Sequence, residues 1–248
     1  MSRTPDGDGS RSIPVTPIHD RTLRQTIATV VGPVVKKIYR KIVLRPPELQ
    51  FESTAQYWSD RYAVGGNSGS GSYGRLAKFK SDVINDFVAK HAVKTVVEFG
   101  CGDGAQLALG QYPQYTGIDI SSEAVALCRT RFHDDPSKQF FHASSPEADT
   151  SRADLAMSLD VIYHLVDEDI YDRYMSRLAL ASNKFICIYS SDEERPGHVP
   201  HVRHRRFSDW LAARAPQWKL FMKVPNPYPE DPNRPNDTSW ADFHFFRQ

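Results

Sequence analysis

The chain has 248 residues, 40% of them hydrophobic, and a formal net charge of +1. That length suits one domain of ordinary to large size with an appendage, and near-neutrality argues against a nucleic-acid binder working by blanket phosphate attraction. Cys101, Cys128 and Cys187 form no paired framework, which predicts reducing, cytoplasmic surroundings. No apolar run approaches the roughly 20 residues of a membrane-spanning helix.

Residues 1–20, rich in Pro, Gly, Ser and Asp, read as disordered. From Arg21 to Val43 apolar residues recur at three- and four-residue steps, predicting a helical arm kinked at Gly32-Pro33. Residues 1–47 carry nine Lys/Arg against three Asp, about +6, leaving about −5 on the remainder. The basic face of the arm fits packing on the body or on a second copy in a homodimer; peripheral membrane contact through residues 21–43 is the alternative. Pro46-Pro47 mark the boundary with a second domain, 48–248.

That domain opens with a short helix from Thr54 to about Tyr62, a Gly/Ser stretch over 65–74, and an amphipathic helix from Arg75 to His91. Strands are expected at Lys94–Phe99, Tyr115–Asp119, Gln139–His142, Leu155–Leu159, Phe185–Tyr189, Trp218–Val224 and Trp240–Phe246. Helices are expected near 104–110, 121–132 and 168–181, with another beginning near Ser208. Strands alternating with helices predict an α/β fold: a Rossmann-like, seven-stranded, mostly parallel sheet covered on both faces.

The most informative segment is Val96-Val97-Glu98-Phe99-Gly100-Cys101-Gly102-Asp103-Gly104. A β-branched run ends in an acid, and three alternate glycines let a ligand lie against backbone at the carboxyl edge of the sheet. Asp119 closes the second strand, where a carboxylate can accept both hydroxyls of a ribose. Gly100-x-Gly102-x-x-Ala105 also satisfies the dinucleotide fingerprint, so an NAD-dependent oxidoreductase is one reading. A sulfonium nucleoside fits better, because Glu98 before the turn suits a cationic amino-acid ligand rather than a pyrophosphate.

With Glu98-x-Gly100-x-Gly102-x-Gly104, Asp119 and the fourth-strand segment Asp154–Leu165, the chain resembles the class I S-adenosylmethionine-dependent methyltransferases over roughly residues 54–248. The resemblance implies that Glu98, Gly100 and Gly102 hold the methionine part of the cofactor and Asp119 the ribose. It also implies that the loop His142-Ala143-Ser144-Ser145 borders the adenine, with Ser144 and Ser145 where many relatives carry an acid. The segment Tyr57–Tyr62 and the Gly/Ser loop look like the piece that covers the cofactor in small methyltransferases. Arg61 would then pair with the cofactor carboxylate, and the Tyr73 ring would cap the sulfonium.

His164, one helical turn beyond Asp160, is the leading general base, since an acceptor that carries a proton needs one. Asp160 would orient that imidazole, contact the cofactor or, with His142 or His164, ligate Mg²⁺ as a Lewis acid; no cluster of carboxylates marks a metal site. A second cluster, His198 to Phe207, brings His201 and His204 with Arg203, Arg205 and Arg206. It is expected to bind a hydroxyl-rich or acidic acceptor rather than nucleic acid. The polar aromatic and charged character of these parts points to O-methylation of a sugar or other small polar acceptor, and the chain resembles actinobacterial saccharide methyltransferases. A non-catalytic partner subunit docking through its basic arm is the third reading.

Overall fold

A computed structural model describes residues 51–248. The disordered tail, the basic arm and the Pro46-Pro47 boundary lie outside the described residues. Two helices precede the sheet: α1, Thr54–Ala63, and α2, Gly74–Lys90. Ser53 starts α1 by accepting a hydrogen bond from the Gln56 amide, a side-chain cap for an otherwise unpaired donor. Then follow β1 (Thr95–Phe99), β2 (Gln114–Asp119), α3 (Ser122–Arg131), β3 (Lys138–His142), α4 (Pro146–Thr150), β4 (Ala153–Leu159), α5 (Glu168–Leu180) and β5 (Ser182–Ser190). A two-stranded hairpin, β6 (Arg195–Pro196) with β7 (Arg203–His204), leads to α6 (Phe207–Arg214), β8 (Lys219–Val224) and β9 (Asp242–Arg247).

The main sheet has seven strands in the order β3-β2-β1-β4-β5-β9-β8, with β9 antiparallel to both neighbours and the other pairings parallel. The chain order reverses between β1 and β4, so the crevice beyond their carboxyl ends is where an open α/β sheet binds its ligand. All seven expected strands are present, with no end shifted by more than three residues.

Alternation along the strands divides the core into two layers. Val96, Leu155, Met157, Phe243 and Phe245 meet Ile84, Phe87 and Val88 of α2 on one face. Val97, Phe99, Ala156, Ile186 and Ile188 meet Met175 and Leu178 of α5 and Phe207 and Leu211 of α6 on the other. The parity of β1 therefore sends Glu98 to the α2 side, among apolar neighbours.

One expected element is absent from its place. The stretch 104–110 is not an α-helix: the Gly100–Pro113 connection holds only a 3₁₀ turn, Leu107–Leu109. Gly100, Gly102 and Gly104 all have positive φ, 83°, 58° and 72°, a conformation that no right-handed helix contains. The glycines that open the turn thus also prevent a helix from starting there.

Candidate active site

The carboxyl ends of β1, β2 and β4 floor a cleft of about 480 Å³, roofed by α1 and the loop that follows it. Glu98, Gly100, Gly102, Asp119, Ser144, Asp160 and His164 all line it. The backbone bend at 100–104 is held from two sides. The Gly100 amide donates to Ile118 O (2.7 Å), and the Gly102 amide donates to Asp119 Oδ2 (2.8 Å). Gly102 is also required sterically: a Cβ there would lie 2.3 Å from Ser68 Oγ.

The roof is pinned to that bend. Ser68 Oγ accepts from the Asp103 amide (2.9 Å), while Tyr73 OH donates to Asp103 Oδ2 (2.6 Å). Burial would raise the Asp103 carboxyl, but hydrogen bonds from Tyr73, Ala105 and Ser68 hold it below the usual range. Tyr73 therefore latches the loop to the bend; the residue is 40% exposed and is not part of the cleft wall, where a cap over the sulfonium was expected. Arg61 is likewise turned away. Its Nε donates to Asn67 O (2.6 Å), its guanidinium lies 5.6 Å from the Trp58 ring centroid, and the cleft wall does not include it.

Two buried carboxyl groups, on adjacent strands β2 and β1, line this cleft. On β2, Asp119 accepts at Oδ1 from the Ser121 amide (2.9 Å) and at Oδ2 from Gly102. Each oxygen keeps a lone pair for a hydroxyl donor. Burial raises the Asp119 carboxyl, against the pull of those amides. On β1, Glu98 Oε2 accepts from Tyr115 OH (2.5 Å). Burial lifts the Glu98 pKa to about 7, with the Tyr115 hydroxyl and the Lys80 cation pulling the other way. Beside it, Gln106 Nε2 donates to Ala77 O (3.1 Å), and its buried Oε1 has no partner among the described residues. Ile118, Ile120, Ala143, Leu165 and Ile170 add apolar wall to the cleft. His142 ties two of its loops together, through Ile120 O (2.8 Å) and Ser144 Oγ (2.7 Å).

Asp160 ends β4 with φ +59°, an uncommon conformation for a residue with a Cβ. Its amide donates to Tyr189 O (2.9 Å), Oδ1 accepts from Tyr163 OH (2.8 Å), and Oδ2 accepts from Lys80 Nζ (2.6 Å). Lys80, not among the expected site residues, is 1% exposed and lines the cleft. Its signal was present in the sequence: it occupies the apolar stripe of α2 between Leu76 and Ile84. Neither His142 nor His164 is hydrogen-bonded to Asp160; His142 bonds Ile120 O and Ser144, and His164 bonds His201 O. Among the described residues no group of three or more His, Cys, Asp or Glu is placed to hold a metal ion.

His164 follows in a 3₁₀ turn, Ile162–His164. Its Nδ1 lies 3.0 Å from His201 O. A carbonyl only accepts, so Nδ1 carries the proton and Nε2 keeps the lone pair. Burial, ahead of the opposing hydrogen bond to His201, drops its pKa to about 4. Trp58 meets the ring edge-on at 5.0 Å.

The histidine and arginine cluster does not enter the cleft. His201 serves His164 through its main-chain carbonyl, while its ring stacks on Tyr57 at 4.3 Å. His204 is fully buried, with Nδ1 at 2.7 Å from Ser191 Oγ. Arg205 donates to Leu165 O, Val166 O and Glu168, and Arg203 meets Glu168 and Glu194. Arg205 thus clamps the loop after β4, while the His201 and His204 rings pack on Tyr57 and Ser191.

A methyltransferase-domain family model matches residues 73–226. No curated protein sequence is significantly similar to the chain. The methyltransferase domain of bacterial CtHen1-CN superposes with a TM-score of 0.54 at 18% identity, covering 70% of this chain and 100% of that one. The N-methyltransferase NodS from Bradyrhizobium japonicum WM9, in complex with S-adenosyl-L-homocysteine, gives 0.54 at 16% identity, covering 70% and 87%. Magnesium protoporphyrin IX methyltransferase ChlM from Synechocystis PCC 6803, with the same compound bound, gives 0.53 at 12% identity, covering 92% and 100%. These likenesses carry the fold: an open α/β sheet with a cleft at its switch point. The family match, over more than half of the chain, goes further, and the chain belongs to the methyltransferase-domain family.

Proposed function

We propose that the protein transfers a methyl group from S-adenosylmethionine to a hydroxyl of a small acceptor. S-adenosylmethionine is the cofactor. The observation that carries the reading is one cleft lined both by groups suited to the cofactor and by His164, a neutral base for the acceptor. Buried acceptors at Glu98 and Gln106 suit an ammonium, Asp119 suits a ribose, and the apolar wall beside Ile120, Ala143 and Ser144 suits an adenine.

When bound, the cofactor supplies a methyl group already activated on a sulfonium. The protein's part is then alignment and exclusion of water, a contribution of up to ~7–11 kcal/mol. Trp58 and Tyr62 roof the cleft against solvent. His164 Nε2, neutral at physiological pH, takes the proton of the acceptor hydroxyl, and His201 O holds the tautomer that makes this atom the base. Asp160, locked by Lys80 and Tyr163, fixes the turn that presents His164.

The oxidoreductase reading has less support. A pyrophosphate at a glycine turn is stabilised by the N-terminus of the following helix, and here that connection contains only the 3₁₀ turn at Leu107–Leu109. The reading as a non-catalytic subunit depends on residues 1–47, outside those described.

His164→Ala is expected to lower kcat by about 10²–10⁴-fold on an active hydroxyl acceptor. Affinity for S-adenosylhomocysteine, measured by calorimetry, should stay nearly unchanged. Unaltered turnover would remove His164 as the base. Activity on amine acceptors but on no hydroxyl acceptor would overturn the O-methyl assignment.

A further inference from the structure

The cation of the cleft comes from α2, not from the helix before it. Lys80 lies on the face of α2 that carries Leu76, Ala77, Ile84 and Phe87 into the core. A lysine is seldom fully buried unless it is paired, and this one is held 2.6 Å from Asp160 Oδ2. An ammonium has three protons to donate. The Asp160 bond uses one, and Tyr189 presents its ring at 5.4 Å, so donors remain at a wall where Glu98, Gly100 and Gln106 also stand. One end of the cleft thus offers acceptors for a cation at Glu98 and Gln106 beside a buried donor for an anion. That is the pattern complementary to a zwitterionic amino acid.

We propose that Lys80 receives the α-carboxylate of the adenosyl amino acid, while Glu98 and Gln106 take its ammonium. The inference rests on the S-adenosylmethionine reading. Arg61, expected in this role, is committed to Asn67 outside the cleft. The bond to Asp160 keeps the Lys80 ammonium in place when the cleft is empty and couples cofactor arrival to the turn that carries His164.

The test is calorimetric titration of the full chain with three ligands: S-adenosylhomocysteine, its α-carboxamide and 5′-methylthioadenosine, which lacks the amino acid. Wild type should prefer the carboxylate to the carboxamide by about 10- to 100-fold, the scale of a charged hydrogen bond. Lys80→Met should lose that preference while binding 5′-methylthioadenosine within about twofold of wild type. Arg61→Ala should keep the preference.

Equal weakening of all three ligands by Lys80→Met would mean that Lys80 only supports Asp160, and would overturn the proposal. So would loss of the preference in Arg61→Ala, or its absence in wild type. If Lys80→Met does not fold, wild type and Arg61→Ala decide between these outcomes. Failure of folded wild type to bind any of the three would instead remove the cofactor reading beneath it.

Discussion

Glu98 is the residue whose ionisation the cleft controls most directly. Its pKa of about 7 means that near neutrality the empty site holds a mixture of acid and carboxylate. An arriving ammonium favours the carboxylate, so binding lowers that pKa and releases a proton. Cofactor affinity should therefore fall as pH drops below about 7, by up to tenfold per unit. Calorimetry across that range in buffers of different ionisation enthalpy measures both the affinity and the proton count. Glu98→Gln should bind more weakly and with a flat profile; an unchanged profile would place the titrating group elsewhere. His164 works in the opposite sense. With its pKa at about 4 it is already neutral, so kcat at saturating cofactor should show no acid limb near the ordinary imidazole value of about 6.5.

At the scale of elements, α2 has two tasks: it covers one face of the sheet and delivers Lys80. Phe87 anchors it, stacked on Phe245 at 4.3 Å and edge-on to Phe185 at 5.2 Å. Phe87→Ala should cost about 3–5 kcal/mol of stability, measured by denaturant unfolding; a loss below 1 kcal/mol would mean that the face repacks. The central strands β1, β4 and β5 were legible because each holds a short apolar run that two layers bury. The helix expected over 104–110 was not, because glycines that serve a ligand turn look the same in sequence as glycines that precede a helix. The hairpin of β6 and β7 is too short for any periodicity. Helix α4 did have a signal, Ser145 as cap and Pro146 at the first helical position, directly after the loop 142–145 expected to border the adenine.

Across the whole molecule, what the sequence concealed about the site was direction. Residue types at the edge of the sheet were readable at Glu98, Gly102, Asp119, Asp160 and His164, since a known topology brings strand ends together. Where Arg61, Tyr73, His201 and His204 point depended on contacts that no spacing encodes: a carbonyl of Asn67, a carboxylate of Asp103, a ring of Tyr57, a hydroxyl of Ser191. Lys80 was hidden by the reverse effect, a charged residue on an apolar stripe that passes for one more helical position.

The account stands on a cleft between Glu98 and Asp119 built for an adenosyl amino acid. Titrating purified protein with S-adenosylhomocysteine tests that claim most directly, beside Gly102→Ala, whose added methyl would collide with Ser68 and strain a positive φ. Saturable one-to-one binding by wild type, weakened at least tenfold in the folded variant by the combined strain and clash, is the expected result. A folded wild-type protein that binds no S-adenosylhomocysteine, or a Gly102→Ala variant that binds it as well as wild type does, would contradict it.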